Sequence, residues 1–200
     1  MNPACAKVAI LLNGPPRAGK DTAVEALASA LGEVAEVFKF TRPVKDLTHR
    51  NAGLDCRHDA FEELKDTPLE EFGGRTPRQA YIDTSRELKA REGDDAVAKL
   101  FVEAISASDA QVILNPDCGD DMEALRVAEA FSFDAVLVIR IHREGHDFSQ
   151  DCRTWVTSPL LRIVDVTNRS GFRRDFESEV VAHARAFIES AASPLPAYAA

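Results

Sequence analysis

Val8-Ala9-Ile10-Leu11-Leu12-Asn13-Gly14-Pro15-Pro16-Arg17-Ala18-Gly19-Lys20-Asp21-Thr22 is the stretch that decides the fold. Val8 to Leu12 is continuously apolar, as a strand buried on both faces requires, and Asn13-Gly14-Pro15-Pro16 stops it. From Asp21 onward Val24, Leu27, Ala28 and Leu31 recur at helical spacing, and Gly32 is placed to end that helix. Gly14 to Lys20 matches G-x-x-x-x-G-K in the setting the motif needs, between a buried strand and an amphipathic helix. The glycines let backbone N–H groups turn inward around a phosphate, and the helix start adds positive potential. Lys20 supplies a point charge that reaches β- and γ-phosphates. Gly14, Pro15, Pro16, Arg17, Ala18, Gly19, Lys20, Asp21 and Thr22 are therefore the expected contacts for the phosphates of ATP.

Asp21 stands where Ser or Thr commonly places a hydroxyl on Mg²⁺, and Thr22 follows it. A carboxylate beside a triphosphate is tolerable when the metal or its waters lie between them, so Asp21 and Thr22 are the metal candidates. The competing reading makes Asp21 a first-turn carboxylate that only complements the helix dipole.

The rest of the chain repeats the alternation. Val34 to Phe40 reads as a second strand and Pro43 to Ala52 as a short helix. Residues 53–75 are polar and irregular. Thr76-Pro77-Arg78-Gln79 combines a capping Thr, Pro at the first helical position and Gln three residues after the cap, which starts a helix running to about Arg91. A further helix fits Asp94 to Ser106, a third strand Gln111 to Asn115 and a helix Asp120 to Ala130. Ala135 to Ile141 and Arg162 to Val166 complete five strands, and a last helix runs from about Phe172 to Ser190. Strands separated by helices imply a parallel sheet with helices on both faces, its ligands bound beyond the carboxyl ends of the strands.

Composition narrows the function. Of 200 residues 45% are apolar and 28% charged, ordinary for one globular domain. The 24 Lys and Arg face 33 Asp and Glu, and the net charge of −9 has the wrong sign for a protein whose main task is gripping duplex DNA. No stretch approaches the roughly 18 apolar residues of a membrane span, and Met1 to Lys7 does not open a signal peptide. A soluble, cytoplasmic protein is expected. Cys5, Cys56, Cys118 and Cys152 lie far apart and read as free thiols; His49, His58, His142, His146 and His183 show no metal spacing.

With Gly-Lys-Asp-Thr in its loop, the chain resembles the deoxynucleoside monophosphate kinases of bacteriophages, a branch of the P-loop nucleoside-monophosphate kinases. Phe40-Thr41-Arg42-Pro43-Val44-Lys45 is similar to the family's segment after the second strand, and Thr76-Pro77-Arg78-Gln79-Ala80 to its Thr-Pro-Arg helix. Val112-Ile113-Leu114, the helix with Asp121, Leu125 and Arg126, and Ile163 to Asn168 extend the likeness over most of residues 8–188. The resemblance implies a P-loop NTPase fold in one domain over 1–190, with acceptor-binding helices at about 41–93, a lid at about 142–159 and a flexible tail at 191–200. It also implies a cytoplasmic site of action, that of the host if the chain is phage-encoded. Two departures stand out: Asn115-Pro116-Asp117 occupies the place of the family's Asp-x-Arg, and Thr84-Ser85-Arg86-Glu87 replaces a Leu-Gly-Thr-Glu run.

Phosphoryl transfer asks mainly for alignment and for neutralisation of charge on the transferring oxygens. Lys20, Arg17, Asp117 and Arg143 are the catalytic candidates; Arg42, Lys45, Arg78 and Arg86 are the acceptor-binding ones. Arg140 and Arg153 flank the segment after the fourth strand, and Trp155 and Tyr81 are aromatics able to stack on a base or simply to pack. The first expectation is an ATP- and Mg²⁺-dependent kinase of a deoxynucleoside monophosphate. A second is a kinase of the hydroxyl on a hydroxymethylated pyrimidine, for example 5-hydroxymethyluracil, free or in phage DNA; Asp117 would be its base. A third, from another class, is a P-loop ATPase or nucleotide-binding module that uses no acceptor. DNA enters only as a substrate, no membrane partner is expected, and a homodimer stays open.

Overall fold

The computed structural model describes residues 7–54, 61–149, 151 and 153–192. Five parallel strands form one sheet: β1 Val8–Asn13, β2 Ala35–Val37, β3 Val112–Asn115, β4 Val136–His142 and β5 Arg162–Thr167, in spatial order β2-β3-β1-β4-β5. The helices are α1 Lys20–Leu31, α2 Thr41–Asn51, α3 Pro77–Glu92, α4 Ala96–Ser106, α5 Asp121–Phe131 and α6 Arg173–Ala192. Every residue of β1 is buried, the signature of a central parallel strand covered on both sides. Val8, Ile10 and Leu12 pack with Leu27 of α1 and Phe176, Val180 and Phe187 of α6. On the other face α5 contributes buried Ala124, Val127 and Ala128 against β1 and β4.

The chain divides into two compact units, residues 39–107 and the remainder. The larger unit holds the whole sheet with α1, α5 and α6. The smaller is a helical cluster of α2, α3 and α4, in which Phe40 and Phe101 stack with ring centroids 3.9 Å apart. His49, buried, meets Tyr81 Oη through Nε2 at 2.9 Å and lies edge-on to Phe61. The capping box at Thr76 is complete: Gln79 N donates to Thr76 Oγ1 and Thr76 N to Gln79 Oε1, both at 3.1 Å.

Two boundaries differ from the sequence expectation. β2 spans three residues rather than Val34 to Phe40, because Gly32–Val34 is a 3₁₀ turn and Phe40 has already turned helical to open α2. α2 begins at Thr41, two residues before Pro43; a first-turn position has no intrahelical acceptor for its N–H, so proline is tolerated there. Cys118 is buried and free, while Cys5, Cys56, Cys152, His58 and residues 193–200 lie outside the described residues. Among the described residues no helix is long and apolar enough to cross a membrane.

Candidate phosphate-binding site

The neighbours of β1 are β3 on one side and β4 on the other, and the chain leaves β1 and β3 in opposite directions, so the carboxyl end of β1 is a topological switch point. The Gly14–Lys20 loop emerges there. Its shape depends on two glycines. A Cβ on Gly14 would stand 2.6 Å from the Ile141 carbonyl oxygen, a backbone atom that cannot give way. Gly19 has φ +113°, and a Cβ there would lie 2.3 Å from Asn168 Nδ2. Arg17, at φ +63°, is a non-glycine residue in the left-handed region, which costs roughly 1–2 kcal/mol. Its carbonyl accepts from Arg143 Nη1 at 3.1 Å, and the Ala18 carbonyl accepts from Asn168 Nδ2 at 2.8 Å. The loop is thus braced from the ends of β4 and β5.

No side chain caps α1, since its N-cap is Gly19. The first-turn N–H groups therefore stand at the end of the loop with the dipole behind them, the arrangement that receives an anion. Lys20 folds back over the loop, donating to the carbonyls of Gly14 at 2.6 Å and Pro15 at 2.8 Å. Burial, reinforced by the guanidinium of Arg153, lowers its pKa from 10.5 to about 8 against the opposing pull of Asp21, Asp151 and Asp117. Asp21 is exposed on the first turn of α1 and Thr22 is half-buried behind it.

Asn115 ends β3 fully buried. Its Nδ2 donates to Asp117 Oδ1 at 2.9 Å and to the Phe38 carbonyl at 2.8 Å, and its Oδ1 accepts from Asp117 N at 3.2 Å. Asp117 is thereby held in one orientation within electrostatic reach of Lys20. Asn13 plays the corresponding part at the end of β1. Its Nδ2 donates to the carbonyls of Cys118 and Thr154, both at 3.0 Å, and its Oδ1 accepts from Val156 N at 3.1 Å. Residues 153–158 are tied down further by Thr154 N on the Gly119 carbonyl at 2.8 Å and by Thr157 N and Ser158 N on Asp121 Oδ1 at 2.7 and 2.8 Å.

Of the expected site residues, Lys20, Arg17, Asp117, Arg143, Asp21 and Thr22 gather in the sheet unit around the loop. Arg153 joins them, its guanidinium forked on Asp151 at 2.9 and 2.5 Å, which holds that carboxyl at about 2. Arg140 turns to Asp165 at 2.8 and 2.7 Å instead. Trp155 packs between protein rings, stacked on His142 at 4.3 Å and edge-on to Phe148. Arg42, Lys45, Arg78 and Arg86 belong to the helical unit. There Arg78 pairs with Asp66 at 2.6 Å, Lys45 with Glu62 at 2.9 Å, and Arg86 stands 3.9 Å from Asp83. Sequence reasoning missed Asn13, Asn115, Asn168, Gly119 and Asp151. The one signal available was an asparagine closing an apolar run at Asn13 and again at Asn115. Among the described residues no three His, Cys, Asp or Glu side chains form a metal cage.

No protein-family model matches this sequence, and no curated protein does. Among solved structures it is similar to a candidate kinase from Chloroflexus aurantiacus J-10-fl, at TM-score 0.50 and 14% identity over 94% of this chain and 100% of that one. It is also similar to an unliganded sugar kinase from Janibacter sp. HTCC2649, at TM-score 0.46 and 11% identity over 94% and 99%. The first likeness shows a shared α/β fold.

Proposed function

We propose that this chain is a kinase that transfers the γ-phosphoryl group of ATP, with Mg²⁺, to a deoxynucleoside monophosphate. The observation that carries the reading is Lys20, folded over an uncapped helix start at the sheet's switch point. In this reading the α1 N–H groups and Lys20 hold the β- and γ-phosphates, Lys20 exchanging the Gly14 and Pro15 carbonyls for phosphate oxygens. Arg17 and Arg143 add positive charge at the tip of the loop. Thr22 and Asp21 would hold Mg²⁺, directly or through water, and would thereby bring divalent charge that neutralises the phosphate oxygens. The acceptor oxygen attacks the γ-phosphorus as the bond to the β–γ bridging oxygen breaks, and ADP leaves. A monophosphate acceptor arrives ionised and needs no base. Arg42, Lys45, Arg78 and Arg86 are proposed to bind it.

A second reading is favoured by one observation, the fixed orientation of Asp117 beside Lys20. A hydroxyl acceptor, as on a hydroxymethylated pyrimidine free or in DNA, must lose its proton, and a held carboxylate can take it. Product analysis with γ-labelled ATP across deoxynucleoside monophosphates, hydroxymethylated nucleosides and hydroxymethylated DNA separates the two. For a monophosphate acceptor, Arg78→Ala raises acceptor KM or lowers kcat about ten-fold or more while ATP binding holds, and Asp117→Asn is mild. For a hydroxyl acceptor, Asp117→Asn costs about 10²–10⁴-fold in rate. ATP hydrolysis with no labelled acceptor would move the chain into the class of P-loop ATPases.

A further inference from the structure

Arg17 and Gly19 both have positive φ, +63° and +113°, with Ala18 between them. That alternation turns successive N–H groups to one side, as an anion-binding nest requires. A Cβ restricts rotation of the peptide before it and glycine does not, so nothing local to Gly19 keeps its N–H from turning away. The restraint comes from Asn168, just past the end of β5 and 150 residues from Ala18 in sequence. Its Nδ2 donates to the Ala18 carbonyl at 2.8 Å. Its own N–H is tied to the His142 carbonyl at 2.8 Å, and the pairing of His142 with Thr167 fixes its register. In a trans peptide C=O and N–H point in opposite directions, so a carbonyl fixed towards Asn168 places the Gly19 N–H on the far side. Among the described residues that N–H has no acceptor. The amide also occupies the space of the side chain that residue 19 lacks: a Cβ there would stand 2.3 Å from Asn168 Nδ2 and 3.6 Å from Phe176 Cε1. Gly19 lets Asn168 in, and Asn168 supplies the restraint that glycine removes.

We propose that Asn168 is a positioning residue of the phosphate loop: it holds the Ala18 carbonyl and so aims the Gly19 N–H at the phosphate before any ligand arrives. The inference rests on the reading of Gly14–Lys20 as a phosphate loop. Asn168 acts through the Ala18–Gly19 peptide and does not itself touch the ligand. A loop whose peptide is correctly turned in only a fraction of molecules binds more weakly by that fraction. One neutral hydrogen bond biases such an equilibrium by about five-fold, which sets the size of the expected effect.

The test pairs calorimetric titration with inorganic pyrophosphate, in the absence of metal, with amide magnetic-resonance spectra of the same full-length proteins. Isotope labels on alanine carbonyls and glycine nitrogens make only Ala–Gly peptides visible, and the sequence has two, Ala18-Gly19 and Ala52-Gly53. Gly53 N donates to the Arg50 carbonyl at 3.1 Å and serves as the internal reference. In the unaltered chain pyrophosphate should move the Gly19 resonance and leave Gly53 in place. Asn168→Ala should displace the Gly19 resonance before any ligand is added and weaken pyrophosphate binding about five-fold. Asn168→Leu keeps the branched bulk, donates nothing and should do the same, so a folding failure in one variant leaves the other to decide. Val166→Ala empties core space on the same strand; it should lower Tm while affinity and the Gly19 resonance stay parental. Parental affinity in a folded Asn168 variant, a loss of affinity with the Gly19 resonance unmoved, or an equal loss in Val166→Ala overturns the proposal alone. Absence of pyrophosphate binding to the unaltered chain overturns the proposal and the phosphate-loop reading together.

Discussion

Replacing Asn13 by alanine tests whether the site is braced as described. The amide is fully buried and makes three hydrogen bonds, donating to the carbonyls of Cys118 and Thr154 at 3.0 Å and accepting from Val156 N at 3.1 Å. Truncation leaves two carbonyls and one N–H without that partner. At a net of about 1 kcal/mol per bond, with a spread of roughly 0.5–1.5, the expected loss is about 3 kcal/mol. For a chain of this size each kcal/mol lowers Tm by about 2–4 °C, so the melting transition should fall by about 6–12 °C. The chain's single tryptophan, Trp155, adjoins Val156 and reports on this segment, so thermal melting followed by its fluorescence is the assay. Asn13→Asp is a sharper variant. A carboxylate at this place would face two carbonyl oxygens with no proton to offer, so at pH 7 it should be worse than alanine and should recover partly under acidic conditions. A Tm drop below about 2 °C for Asn13→Ala, or tolerance of Asn13→Asp at pH 7, would refute the bracing argument.

Lys20 sets a pH dependence. In the free protein it loses its proton near pH 8, so pyrophosphate or ATP affinity should fall above that pH by up to about ten-fold per unit, and Lys20→Arg should flatten the profile. Stability runs the other way. The folded value lies below the unfolded one, so the cost of the buried ammonium is present in full below about pH 8 and is relieved towards 10.5, which denaturant midpoints taken between those pH values will show. Asp21→Ser should change the Mg²⁺ dependence of turnover more than metal-free ATP binding; an unchanged magnesium titration returns Asp21 to a dipole role. Gly14→Ala drives a Cβ against the Ile141 carbonyl, so it should weaken pyrophosphate binding and lower Tm together; a variant that does neither would remove the close approach of loop and β4 from the account.

Much of this was legible because it is local. The apolar run Val8 to Leu12 declares its burial, the Thr76 to Gln79 pattern carries both halves of a capping box, and the loop motif is recognised by two glycines and a lysine at fixed spacing. The supports of the site were not legible because they join distant segments. Asn13 reaches across to Thr154 and Val156, Asn168 to Ala18, and Gly119 matters only because Arg153 lies on it. A single sequence carries no mark of such pairings, and asparagine at a strand end is as consistent with a turn as with a buried amide. The segment after β4 shows the same effect: the strand before it follows from local pattern, whereas the anchoring of residues 153–158 depends on side chains more than thirty residues away.

The central claim is that the Gly14–Lys20 loop holds the nucleotide whose γ-phosphoryl group is transferred, and the most direct test is transfer itself. Purified protein is incubated with γ-labelled ATP, Mg²⁺ and each deoxynucleoside monophosphate, beside Lys20→Ala checked for an unchanged melting profile. Label appearing on at least one monophosphate with the parent chain, and none with Lys20→Ala, is the predicted result. Transfer by folded Lys20→Ala at the parental rate would contradict the account.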